Sequence, residues 1–191
     1  MKSVLISIRP KWTEKIANGE KTIEVRKSAP KEVPFKCYIY ETQGQYVKFT
    51  HGAHTKYGYG RGKVIGAFIC DRIEMVNAKG SNYGIDLFYH DCLTNGCLTE
   101  REIEKYFNVP EDRDLRAMKG NGYVWNISDL KIYDKPKELS EFRKPCPYGD
   151  LPCWICPSCD KDENDNLIQC FNTVSRPPQS WQYIEDLGEK E

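Results

Sequence analysis

Apolar and polar residues alternate over residues 2–9, with Val4, Ile6 and Ile8 on one face, and this predicts a first strand. Pro10 suits the first helical position, and Trp12, Ile16 and the stem of Lys15 fall on one side of a short helix that stops at Asn18 and Gly19. A strand is predicted over residues 22–27, a turn-rich link over 29–34, and an aromatic, β-branched strand over 35–41. Residues 43–62 carry Gly44, Gly52, Gly58 and Gly60 with no periodicity, which predicts a long exposed loop. Residues 63–71 are the most apolar run and predict a central strand, continued over 73–76. Residues 98–107 predict a helix with Thr99 as N-cap and Glu102 completing a capping box. Residues 122–134 read as a strand pair or one long bent strand.

Five or six strands with two inserted helices predict an α+β chain, a small mixed barrel rather than a doubly wound sheet. The barrel is expected over residues 1–135, followed by an irregular Cys-rich extension over 136–191 that begins with a short linker, 137–142. Near the end stand Arg176, Pro177, Pro178, Gln179, Ser180 and Trp181, then Tyr183. Two prolines followed by aromatics predict an extended segment docked onto the barrel.

Charge balances, with 28 Lys and Arg against 28 Asp and Glu, so no uniform nucleic-acid field exists. The distribution is lopsided. Residues 1–36 hold nine basic and four acidic side chains, a net of +5; residues 160–191 hold three basic and eight acidic, a net of −5. A polyanion is expected to meet the amino-terminal half, and the acidic tail to meet a protein partner. No run nears the roughly 20 apolar residues of a membrane span, and no signal peptide is expected. Nine cysteines, five of them between Cys146 and Cys170, then predict a reducing cytoplasm and metal rather than a disulfide framework.

The densest run of charge is Gly19, Glu20, Lys21, Thr22, Ile23, Glu24, Val25, Arg26. On a strand Thr22, Glu24 and Arg26 share one face and Lys21, Ile23 and Val25 the other, with Lys21 at the helix–strand junction in reach of either. Such alternation ordinarily makes a solvated face or an ion-pair ladder. With Ser7, Ile8, Arg9, Pro10, Lys11 and Trp12 ahead of it, however, the run over residues 4–27 resembles the ASCH domain, a branch of the PUA-like superfamily. That family's signature, G-x-K-x-x-E-x-R, is complete here as Gly19, Lys21, Glu24 and Arg26. The RPPQSW tail resembles that of small bacterial and bacteriophage ASCH proteins.

The resemblance implies a PUA-like β-barrel that binds RNA or a modified nucleotide in a regulatory role. It implies that Lys21, Glu24 and Arg26 line or brace the pocket. Arg9 would supply a second guanidinium for phosphate, Tyr40 or Trp125 a stacking face unless buried as core, and Glu41 a second carboxylate. It also implies a competing class. Some small ASCH proteins deacetylate N4-acetylcytidine with a Lys, a Thr and a Glu. Their lysine matches Lys21, but Glu24 stands where their threonine would be. Their glutamate falls near Thr94, with Asp91 the closest acid. Thr22 is the alternative nucleophile, though alternation sends it away from Lys21. Ribonuclease chemistry would use Lys21 with a carboxylate such as Glu24. A third class is a protein–protein adaptor.

The cysteines carry the second signal. Cys146, Cys153, Cys156 and Cys159 lie within fourteen residues, with Cys170 as an alternative fourth ligand. C-x2-C spacing lets two sulfurs bind one tetrahedral ion, and interleaved Pro145, Pro147, Pro152 and Pro157 favour knuckle-like turns. Structural zinc is the expectation, with an iron–sulfur cluster or free thiols as alternatives. Cys92 and Cys97, flanking a predicted loop beside His90, form a weaker second pair. His51 and His54 lie in the glycine-rich stretch with Lys48, Lys56 and Arg61, as in a basic loop that closes over nucleic acid.

Overall fold

β1 (Lys2–Ile8) has Val4, Leu5 and Ile6 all fully buried, so it is covered on both faces rather than on one. This computed structural model describes residues 1–51, 54–77, 82–109, 118, 120–148, 155–157, 159–164 and 167–185; of residues 49–51, 54, 82–83 and 167–169 only the backbone is described. The chain divides into two units, the first made of Met1–Pro10, Lys36–Ala67 and Ile132–Glu191, the second of Lys11–Phe35 and Phe68–Lys131.

β1 lies within a five-stranded sheet with β3 (Phe35–Glu41), β6 (Lys63–Cys70), β9 (Ser128–Lys137) and β12 (Trp181–Ile184), in the order β12-β1-β3-β6-β9. The first unit's core gathers Leu5, Tyr38, Tyr40, Val64, Phe142 and Ile184. The proline–tryptophan tail docks as a strand: β12 pairs antiparallel with β1, from Ser3 opposite Ile184 to Ile6 opposite Trp181. Ser7 extends that attachment, its Oγ donating to Pro178 O at 2.6 Å and its N–H to Ser180 O at 3.0 Å.

The described residues of 43–62 are not a loop; Gly52 lies outside them. They form a hairpin of β4 (Gly44–His51) and β5 (His54–Gly60), with Gln45 opposite Tyr59 and Val47 opposite Tyr57. The glycines read as loop signals are partly cross-strand seats. Gly58 faces Tyr46, and a Cβ there would come within 2.6 Å of that ring. A second, minimal hairpin pairs β10 (Asp160–Lys161) with β11 (Leu167–Gln169).

In the second unit β2 (Ile23–Arg26), β8 (Asn121–Asn126) and β7 (Ile73–Asn77) form an antiparallel sheet in the order β2-β8-β7. The helices are α1 (Pro10–Ala17), α2 (Asn82–Thr94) and α3 (Glu100–Phe107). α2 was not legible as a helix: its stripe of Ile85, Phe88 and Cys92 includes a cysteine, and Cys92, read as a loop residue, lies inside it. α3 begins with the expected capping box, in which Thr99 Oγ1 accepts from Glu102 N–H and the Glu102 carboxylate accepts from Thr99 N–H. The unit's core gathers Ile23, Val25, Phe88, Ile103, Phe107 and Val124.

The mixed α+β class stands, but the strands fall into four separate sheets, and among the described residues none closes into a barrel. Strand alternation reports which face is buried; it carries no information on whether edge strands meet. No helix among the described residues is long and apolar enough to cross a membrane.

Candidate functional site

Gly19 ends α1 in the left-handed region at φ +75°, where a residue without Cβ carries no steric penalty, and its N–H donates to Ile16 O. The next two amides, of Glu20 and Lys21, both donate to Lys15 O, at 2.9 and 3.1 Å. Beyond them the chain is held to the end of α2: Thr22 N–H donates to Asn95 O at 3.0 Å. Lys21 therefore precedes β2, which starts at Ile23, and strand alternation does not govern its direction.

Freed from that alternation, Lys21 turns inward. Its Nζ donates to Gly96 O at 2.8 Å and lies 3.4 Å from Glu24 Oε2. The other Glu24 oxygen, Oε1, pairs with the Arg26 guanidinium at 3.0 Å. All three side chains are buried, Lys21 at 3% exposure, Glu24 at 6% and Arg26 at 9%. Gly96 follows the carboxyl end of α2, where the helix dipole is negative, so the ammonium answers carbonyls as well as the carboxylate.

Taken by themselves, the three side chains sum to a formal charge of +1. Two groups with acidic protons stand near them. Burial pushes the Cys92 thiol up to about 12, although Lys21 works in the opposite direction. Burial likewise raises the Tyr106 phenol, with Arg26 pulling it down and Glu24 pushing it up. Both groups stay neutral near pH 7. Glu24 Oε2 accepts no hydrogen bond among the described residues, its contact with Lys21 being ionic.

Two aromatic side chains of this site were missed. Trp12, read only as helix packing, has Lys21 Nζ 5.6 Å and Lys11 Nζ 4.3 Å from its ring centroid. Tyr106, in the last turn of α3, has Lys27 Nζ 5.1 Å from its ring and feels the charges of Arg26 and Glu24. No local signal could have assigned Tyr106, because its position depends on how α3 packs.

The remaining candidates are placed differently. Trp125 is fully buried, edge-on to Phe35 with ring centroids 5.3 Å apart, so it braces the core and offers no face to a base. Arg9, Tyr40 and Glu41 belong to the first unit. Arg9 is exposed there, Tyr40 is core, and the buried Glu41 carboxylate accepts from Arg61 N–H at 2.9 Å. Thr22 is exposed, and Thr94 Oγ1 donates to His90 O, so neither threonine is poised beside Lys21. His51 and His54 face each other in the β4–β5 register; their side chains lie outside the described residues.

Of the cysteines, Cys159 Sγ and Cys170 Sγ lie 3.8 Å apart, and the Cys159 thiol also hydrogen-bonds Cys156. Cys153 falls outside the described residues. Among the described residues no three His, Cys, Asp or Glu side chains already stand round one point as ligands do. Cys97 donates to Glu20 O at 3.3 Å while Cys92 sits in the core, so those two serve packing.

The fold and the buried triad define a small α+β protein with a charged cluster at a helix–strand junction. The chain takes the fold of the ASCH proteins. The crystal structure of ASCH from Zymomonas mobilis aligns over 96% of this chain and 88% of its own, with a TM-score of 0.54 and 16% identity. A tyrosine-to-phenylalanine variant of that protein aligns over 98% and 93%, with a TM-score of 0.55 and 15% identity. No protein-family model matches the chain, and no curated protein sequence does.

Proposed function

We propose that this chain binds RNA or a modified nucleotide, one nucleotide unit engaging the Lys21–Glu24–Arg26 triad. The observation that carries the reading is the convergence of two buried cations on the one Glu24 carboxylate, in a setting of low dielectric. An ammonium and a guanidinium held close together attract an anion or an electron-rich oxygen, and a phosphate or a base carbonyl supplies one. Glu24 Oε2, which accepts no hydrogen bond from the protein among the described residues, is an acceptor for an exocyclic amine. An anion and an amine donor within one planar ligand are the features of a nucleotide. Trp12 and Tyr106 add aromatic surface beside the same charges.

The threonine-dependent deacetylase route lacks its nucleophile, since Glu24 stands at the threonine position and Thr22 is exposed. Against that route, binding without turnover is the stronger reading.

The test is calorimetric titration of the full chain with short single-stranded RNAs and a panel of modified nucleoside monophosphates at two salt concentrations. Expected are an affinity that falls with salt and at least a tenfold loss in Glu24→Gln, which keeps the shape but removes the carboxylate. Far-UV circular dichroism checks that the variant stays folded. Release of acetate from N4-acetylcytidine, or cleavage of the RNA, would replace the reading with a hydrolase. Affinity indifferent to Glu24→Gln would remove the triad from binding.

A further inference from the structure

We propose that Cys156, Cys159 and Cys170 bind one zinc ion as thiolates, stapling the segment between β9 and β12. Three observations converge on this. The first is distance: ligands on a tetrahedral ion with zinc–sulfur bonds of about 2.3 Å lie about 3.8 Å apart. Cys159 Sγ and Cys170 Sγ are separated by 3.8 Å. That is the spacing of two sulfurs on one metal and far beyond a disulfide bond.

The second is how the backbone brings them together. β10 and β11 pair Asp160 with Gln169, so the residues just outside the register, Cys159 and Cys170, are brought side by side. Cys159 N–H donates to Cys156 O at 3.4 Å, closing a tight turn whose second residue is Pro157. The turn returns the Cys156 side chain to that of Cys159, and the two hydrogen-bond.

The third is burial, in which two of the cysteines lie inside and the described apolar side chains outside. Ile155 is 53% exposed and Phe171 76%. Among the described side chains of residues 155–171, only Cys156 and Cys170 are buried. An isolated hairpin of two and three residues is at best marginally stable in water, and a metal at its base would staple it. Metal entry forms a zinc–sulfur bond at each cysteine and releases its thiol proton to solvent. A fourth donor completes the tetrahedron. Cys146 lies on a neighbouring segment, anchored where Arg143 pairs with Thr173 and Lys144 N–H donates to Asn172 O at 2.8 Å.

The experiment uses the full chain, stripped with a chelator and titrated with zinc or cobalt(II). Expected are stoichiometric zinc by elemental analysis and, with cobalt, the visible absorption of a tetrahedral thiolate site. Cys159→Ser and Cys170→Ser should each abolish stoichiometric binding, and Cys97→Ser should leave it unchanged. Should the serine variants unfold, the wild-type chain still decides: zinc should protect Cys156, Cys159 and Cys170 from alkylation while Cys97 continues to react. A chain that takes up no zinc, retention of the metal by the Cys159→Ser variant, or a Cys159–Cys170 disulfide found in the freshly purified protein would each overturn the proposal.

Discussion

Lys11 and Glu102 are 91 positions apart, yet the Lys11 ammonium donates to Glu102 Oε1 at 2.8 Å, tying α1 to the first turn of α3. The same carboxylate accepts from Thr99 N–H and from Thr99 Oγ1, at 3.0 and 2.9 Å. Burial acts to raise the Glu102 carboxyl, but those hydrogen bonds outweigh it and hold the group below its usual value. A carboxyl depressed in the folded state stabilises above its unfolded value and loses that contribution as pH falls through the folded one. The side chain is 36% exposed, so the effect is small, below about 1 kcal/mol after screening. Urea midpoints measured from pH 7 down to pH 2 should decline less steeply in Glu102→Gln than in the native chain.

Replacing Lys21 with methionine removes the hydrogen bond to Gly96 and one of the two cations beside Glu24. Arg26 still holds the other oxygen, so Glu24 stays paired and the loss should be about 1–3 kcal/mol, that of a buried charged hydrogen bond, below that of a fully broken buried pair. In the Lys21→Met/Glu24→Gln double variant the buried carboxylate charge is gone as well. Its destabilisation in denaturant titrations should be smaller than the sum of the single effects.

Gly19 and Gly122 should respond to alanine for different reasons. At Gly19 a Cβ meets nothing within 4 Å, but φ is +75°, so Gly19→Ala should cost only the left-handed strain of about 1–2 kcal/mol. At Gly122 the backbone is unstrained, and a Cβ would lie 2.5 Å from the Phe88 ring, itself edge-on to Phe107. Gly122→Ala should cost about 1–3 kcal/mol through core displacement, visible in near-ultraviolet circular dichroism, whereas Gly19→Ala should leave that spectrum unchanged.

Ile184, at 4% exposure in the first unit's core, anchors β12 against β1. Ile184→Ala should destabilise by about 2–4 kcal/mol. Loosening β12 also bares the β1 edge, so the variant should aggregate in light-scattering assays at temperatures where the native chain stays clear.

Where interactions are local, the amino-acid sequence was sufficient. Thr99 and Glu102 specify the start of α3 within four residues, the β3 strand is bounded by its own aromatic run, and Gly19 marks the stop of α1 because few other residues tolerate its backbone. The Gly19, Lys21, Glu24, Arg26 motif was visible for the same reason.

Partners distant in the chain belong to the tertiary structure alone. That Lys21 would answer Gly96, that Tyr106 would lie beside Arg26, and that Cys170 would meet Cys159 are matters of loop closure. The β4–β5 hairpin escaped notice because Gly58 has meaning only opposite Tyr46. That the described strands form four sheets and no closed barrel has the same origin: alternation along one strand records which side is dry, while the choice of neighbouring strand is made by packing energy summed over residues far apart in the chain.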